Sequence, residues 1–104
     1  MDLASRINGY VAEAPVVLFS KSYCTFCKKV KQLLSEQAPE LSVVYVELDR
    51  MPDGVAMQVE LSVMTELETV PQVFINRKFI GGCDSMLALH KSGDLARLLQ
   101  ANEL

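Results

Sequence analysis

A chain of 104 residues, half of them hydrophobic and 22% charged, is long enough to bury one core and too short for two domains, so residues 1–104 are read as a single domain and disorder is excluded. The net charge of −3 at pH 7 gives no reason to expect nucleic acid or a membrane surface as a partner. Locally the sign reverses: Lys21, Lys28, Lys29 and Lys31 surround a pair of cysteines, a patch that suits a small anionic ligand or else is a solvated helix face.

The opening "MDLASRINGYVAEA" has no continuous apolar run and carries Asp2, Arg6 and Glu13, so it is neither a signal peptide nor a membrane span. Leu3, Ile7, Tyr10 and Val11 recur at helical spacing, and "EAP" at Glu13–Pro15 closes that helix. "VVLFS", 16–20, reads as a strand buried on both faces. After the cysteines Val30, Leu33, Leu34 and Ala38 form a helix stripe that stops at Pro39. "LSVVYVEL", 41–48, reads as a second buried strand, and 49–54 as a turn with Pro52 at a first helical position. From Asp53 the apolar residues Val55, Val59, Leu61, Val63 and Leu67 predict a helix to about Leu67. "QVFI" and "KFI" around Asn76-Arg77 predict a hairpin. The remainder predicts two short helices, with Asp84 and Asp94 as N-caps and Gly93 as the break. This order, α-β-α-β-α-β-β-α and a last short helix, places parallel strands early and an antiparallel edge late. The fold class is therefore α/β, a mixed sheet with helices on both faces.

The cysteines are Cys24, Cys27 and Cys83, an odd number without a signal sequence, which argues for a reducing compartment, most simply the cytosol; an organelle follows equally if a transit peptide has been removed. Cys24 and Cys27 form a C-x-x-C pair at the first turn of a helix that follows a buried strand. Unpaired N–H groups and the positive end of the helix favour a thiolate at Cys24, and Lys21 adds a nearby cation. Spacing of three places Cys27 one turn on along the same face, within reach of a disulfide. Cys24 is then the attacking thiol and Cys27 the resolving one. A structural zinc site needs four ligands, and beyond the pair there remain Cys83 and His90, whose C-x6-H spacing is outside the usual range. No tightly bound metal is expected; His90 reads as an exposed polar residue and Cys83 as a small buried hydrophobe.

"KSYCTFC" at 21–27, Gln58, "TVP" at 69–71 and "GGCD" at 81–84 together resemble the dithiol glutaredoxins of the thioredoxin superfamily, and the likeness covers nearly the whole chain from Pro15. A thioredoxin proper is disfavoured, because that family carries a Trp before its first cysteine and this chain has none. The resemblance implies a thioredoxin-like fold with a central four-stranded mixed sheet. It also implies reduction of protein–glutathione mixed disulfides and protein disulfides, with glutathione as reducing co-substrate and a separate reductase restoring it. The implied enzyme is a monomer that meets glutathionylated or disulfide-bearing proteins.

Glutathione has two carboxylates and one ammonium. By resemblance Lys21 binds the glycine carboxylate, assisted by Gln58. Val70, before a cis Pro71, offers its backbone N–H and C=O to the cysteinyl unit. The N–H groups of Cys83 and Asp84 take the γ-glutamyl carboxylate, Gly81 and Gly82 permit close approach, and the Asp84 side chain pairs with the ammonium. Thr25, Phe26 and Thr69 complete the implied contacts. Two positions depart from the pattern. The family's common C-P-Y-C reads Cys24-Thr25-Phe26-Cys27 here, and in this family a residue other than proline accompanies some members that hold a [2Fe–2S] cluster between two subunits through the first cysteine and glutathione. That makes a cluster carrier, with Cys24 as ligand, the alternative reading. The residue before "TVP", commonly basic, is Glu68, an acid that weakens glutathione binding, favours a thiol with an amidated or cationic glycine end, or is simply a solvated loop residue.

Overall fold

The strand β1 (Val16–Ser20) is buried along its whole length, as a strand must be when helices cover both faces of its sheet. In the computed structural model, which describes residues 2–100, β1 lies inside a sheet of order β2-β1-β3-β4. Its partner β2 (Val43–Glu47) runs parallel and β3 (Gln72–Ile75) antiparallel. The last strand, β4 (Lys78–Gly81), returns antiparallel to β3 through Asn76 and Arg77, both at positive φ (49° and 69°), the primed turn that matches the twist of a hairpin.

Alternate residues of β1 face opposite ways and found two cores. Val16 and Leu18, with Val73 and Ile75 of β3, pack under α2 (Thr25–Gln37), α4 (Cys83–Ser92) and α5 (Asp94–Gln100) through Val30, Leu34, Met86 and Leu95. Val17 and Phe19, with Phe74, pack under α1 (Leu3–Val11) and α3 (Gly54–Thr65) through Ile7, Met57 and Leu61. The predicted element order and the mixed sheet between two helical layers are what the structure has.

Several boundaries differ from expectation. The second strand is not a buried run: β2 is an edge strand, in which Val46 is buried and Tyr45 is exposed. Leu48–Arg50 leaves it as a single 3-10 turn. Pro52 precedes α3 instead of opening it, and the helix ends at Thr65 because Glu66 adopts the left-handed conformation at φ 65°. Of the residues read as the inner stripe of α3, Leu61 is buried, but Val55, Val59 and Val63 face outward, and Met57 takes their place in the core. Gly54 begins α3 where the Leu48 carbonyl leaves no room for a Cβ. Asp84 is not the cap of α4; Gly82 stands there, with no side-chain cap bond, and Asp84 lies in the first turn. Asp94 likewise opens α5 as its first residue, after Gly93 at φ 86° breaks the chain as expected.

Candidate active site

The loop after β1 is held from two sides before it delivers the first cysteine. The Ser22 N–H donates to Asp49 Oδ1 at 2.9 Å and the Ser22 hydroxyl donates to Asp49 Oδ2, which lowers the Asp49 pKa. The Cys24 N–H donates to the Lys21 carbonyl at 3.1 Å. Cys24 is thereby the N-cap of α2, in extended conformation (φ −82°, ψ 119°), and its Sγ takes the capping role by accepting the Cys27 N–H at 3.2 Å. Ordinarily an oxygen does this; a sulfur in that place faces the unpaired amides and the positive end of the helix dipole.

Exposure divides the pair. Cys24 is half-buried, with its Sγ 4.0 Å from the Val70 carbonyl oxygen across the site. Cys27 is fully buried. Burial, followed by its hydrogen bond with Cys24, pushes the Cys27 thiol up to about 12, so at neutral pH it holds its proton while Cys24 meets solvent. Cys83 is buried at the first residue of α4, and burial together with the neighbouring Asp84 charge pushes its thiol up as well. His90 is exposed in the last turn of α4. Among the described residues no group of three or more His, Cys, Asp or Glu is placed to hold a metal ion.

Beside Cys24 an open groove of about 510 Å³ runs between the Val70–Pro71 edge and the start of α4, a size that fits a small peptide ligand. Of the residues singled out by sequence, it brings together Phe26, Thr69, Val70, Pro71, Gly82, Cys83 and Asp84; Leu67 and Ser85 complete the lining and were not expected. The Val70–Pro71 peptide is cis. The two walls approach closely at Gly82, where a Cβ would stand 3.1 Å from the Pro71 carbonyl oxygen, and Gly81 at φ 136° has a backbone that L side chains rarely adopt.

Cys24, Cys27, Lys21, Thr25 and Gln58 do not line this groove; Cys24 meets its edge through the approach of its Sγ to the Val70 carbonyl. Lys21 is half-buried in the loop before Cys24, and Thr25 is exposed as the first residue of α2. Gln58 turns its amide to the exposed loop and donates to the Glu68 carbonyl at 3.0 Å.

A further residue that sequence reasoning left without a role governs the groove edge. Gln72 is fully buried at the start of β3. Its amide nitrogen donates to the carbonyls of Leu67 (2.6 Å) and Thr69 (3.1 Å), and its oxygen accepts the Thr65 hydroxyl at 2.9 Å. The chain from 65 to 70 is thus wrapped around one neutral side chain. Its signal in the sequence was a polar residue opening an otherwise apolar strand directly after Pro71. A second buried polar residue, Ser20, donates to Glu47 Oε1 at 2.5 Å, and Lys31 of α2 pairs with Glu47 Oε2 at 2.7 Å, so the ends of β1, β2 and the second turn of α2 are tied together.

Comparison with known proteins bears on this arrangement. Residues 16–80 match the family model described as Glutaredoxin. A chloroplastic glutaredoxin-C4 from Oryza sativa subsp. japonica is 52% identical over 95% of this chain and 71% of its own length. A crystal structure of wheat glutaredoxin superposes with a TM-score of 0.91 at 46% identity, covering 97% of this chain and 93% of that one. A buckwheat glutaredoxin–glutathione complex superposes at 0.88 with 39% identity, covering 93% of this chain and 86% of that one.

Proposed function

The chain belongs to the glutaredoxin family, a family of thiol–disulfide oxidoreductases that uses glutathione, and from that premise we propose that it reduces protein–glutathione mixed disulfides and protein disulfides with glutathione as electron donor. The observation that carries this reading is the placement of Cys24: a half-buried sulfur at the start of α2, 4.0 Å from the Val70 carbonyl, beside a groove walled by Val70 and the first residues of α4.

In this reading glutathione lies in the groove with its cysteinyl unit along the Val70 backbone. The γ-glutamyl carboxylate meets the Cys83 and Asp84 N–H groups, which no side chain caps and which a carboxylate satisfies. The Asp84 carboxylate takes the ammonium, and Lys21 takes the glycine carboxylate. Gln58 acts at one remove, by fixing the Glu68 carbonyl and so the loop that reaches Thr69. Phe26, 56% exposed at the rim, is a surface against which the target chain packs.

The Cys24 thiolate attacks the glutathionyl sulfur of the mixed disulfide, forming Cys24–S–S–G, and the departing protein thiolate takes up a proton. A second glutathione thiolate then attacks the bound glutathione's sulfur, giving oxidised glutathione and restoring the Cys24 thiolate. With a protein disulfide, the mixed disulfide joins Cys24 to the target, and Cys27 gives up its proton, attacks Cys24 Sγ and expels the target thiolate. The high Cys27 pKa keeps that thiol from competing for the first attack. No observation at Thr25 favours the cluster-carrier reading, and reduction alone is carried forward. The cytosol remains the proposed compartment, and no helix among the described residues is long and apolar enough to cross a membrane.

The test is glutathione-dependent reduction of a glutathione mixed disulfide by wild type, Cys24→Ser and Cys27→Ser. Loss of more than about a thousandfold in Cys24→Ser, with activity kept in Cys27→Ser, is the expected result. Activity that survives in Cys24→Ser would refute the assignment.

A further inference from the structure

The parallel pairing of β1 with β2 ends at Ser20 and Glu47, which stand opposite one another in register. Both chains then leave the sheet, yet the register runs one step further through a side chain: two residues beyond each partner, Asp49 receives Ser22. The Ser22 N–H donates to Asp49 Oδ1 at 2.9 Å, and the Ser22 hydroxyl donates to Asp49 Oδ2. One carboxylate therefore holds both donors of a single residue, through bonds that its charge strengthens.

What it holds is the turn that delivers Cys24. Lys21–Cys24 is closed by the Cys24 N–H on the Lys21 carbonyl at 3.1 Å, which leaves the N–H of the second residue, Ser22, without a partner inside the turn. Packing does not fix this turn: Tyr23 is 68% exposed, and Lys21 and Ser22 are only half-buried. Asp49 is exposed too but firmly mounted. It is the middle residue of the 3-10 turn that begins at Leu48. Leu48 is buried in the core under α1 and α3, and the Met51 N–H closes back on its carbonyl at 3.3 Å.

We propose that Asp49 is a positioning residue for the attacking sulfur: by fixing Ser22 it fixes the turn, and so holds Cys24 Sγ at the start of α2, where it accepts the Cys27 N–H at 3.2 Å. This rests on the reading of Cys24 as the attacking thiol and adds to it a residue from the far side of the β1–β2 pair. Small displacements of a nucleophile are costly in rate, so a tether on the turn acts on the chemistry without touching the substrate. The sign of the effect separates this role from plain electrostatics. An acid near a thiolate disfavours the charged form, so an Asp49 acting by its charge would slow Cys24, and its removal would speed it. As a tether, its removal slows Cys24. The neighbouring cations, Lys21 in the turn and Arg50 beside Asp49, stay in place in every variant below.

The test is the rate at which iodoacetamide alkylates Cys24 in the reduced full chain at neutral pH, located by mass spectrometry, with kcat and KM for a glutathione mixed disulfide measured alongside. Asp49→Ala loses both bonds and is expected to slow alkylation about tenfold, with kcat/KM for the mixed disulfide falling by a like factor. Asp49→Asn keeps the tether without the charge, its oxygen accepting the Ser22 N–H and its NH2 donating to the Ser22 hydroxyl oxygen, and recovers a rate close to wild type. Ser22→Ala loses the hydroxyl bond alone and slows alkylation about threefold, so the tether is tested even where Asp49→Ala does not fold. Circular dichroism gives the folded fraction of each variant, and rates are compared per folded molecule. Alkylation of Asp49→Ala or Ser22→Ala as fast as wild type or faster overturns the proposal, as does Asp49→Asn no faster than Asp49→Ala. Alkylation reads the sulfur without turnover, so a chain that fails to reduce the mixed disulfide refutes the redox reading while the tether stands or falls on alkylation alone.

Discussion

The helices α2 and α3, 13 and 12 residues long, sit on opposite faces of one sheet and are built on different plans. In α2 a single apolar stripe, Cys27, Val30 and Leu34, goes inward, while Lys28, Lys29 and Gln32 go to solvent. Its first turn is capped by a sulfur that is free to react. In α3 both sides are apolar and no side chain caps the first turn. Its start is instead anchored by Arg6 of α1, which pairs with Asp53, and by Gly54 against the Leu48 carbonyl. A helix that starts at a half-buried sulfur can do chemistry there; a helix whose first residue is packed under backbone supplies position.

Alkaline titration sets the two helices furthest apart. The Cys27 thiol is raised from its ordinary 9.0 to about 12, so between those values the unfolded chain gives up a proton that the native one keeps. Stability from this group is complete below pH 9.0 and is lost as pH rises toward 12, by up to about 1.4 kcal/mol per pH unit. Urea unfolding of wild type and Cys27→Ala across this range should show wild type falling faster; parallel curves would mean that the Cys27 thiol is not enclosed under the start of α2. Next in size, Gly54→Ala forces a Cβ into the Leu48 carbonyl and should cost about 3 kcal/mol, near 15 °C in melting temperature. Its activity per folded molecule should stay the same, and a loss of turnover at full folding would erase the division between the helices. Smallest, Lys31→Met on α2 removes the partner of Glu47 and should lower stability by about 1 kcal/mol. A change within 0.3 kcal/mol, roughly the error of such a measurement, would show the pair to be ornamental.

What could be read from the residues follows the same contrast. The strand β1 was legible because its neighbours on both sides bury it, and an uninterrupted apolar run signals that state. The same kind of run misled at β2, since "VVYV" looks alike whether one strand or two will flank it, and the sheet order makes β2 an edge. The stripe of α2 was plain because its other side is charged. In α3 two apolar rows compete, and only packing against α1 decides that Met57 goes in and Val59 stays out. At the candidate site, Cys24 and Cys27 were marked by their C-x-x-C spacing, and Val70 and the Gly82–Asp84 turn by the resemblance to the glutaredoxins. Gln72 and Thr65 were not: their bonds join residues across a loop, and no periodicity records them. Gln58 was identified as a site residue, but its partner at Glu68 is a backbone carbonyl, which any residue type would supply.

The clamp around Gln72 has one more consequence. Every group in it, a hydroxyl, a carboxamide and backbone carbonyls, is neutral through the whole physiological range. The edge that presents Val70 therefore keeps its shape when acidity or ionic strength varies, where a clamp made of ion pairs would loosen. The environment then speaks to the sulfurs directly, without first reshaping the wall they work against.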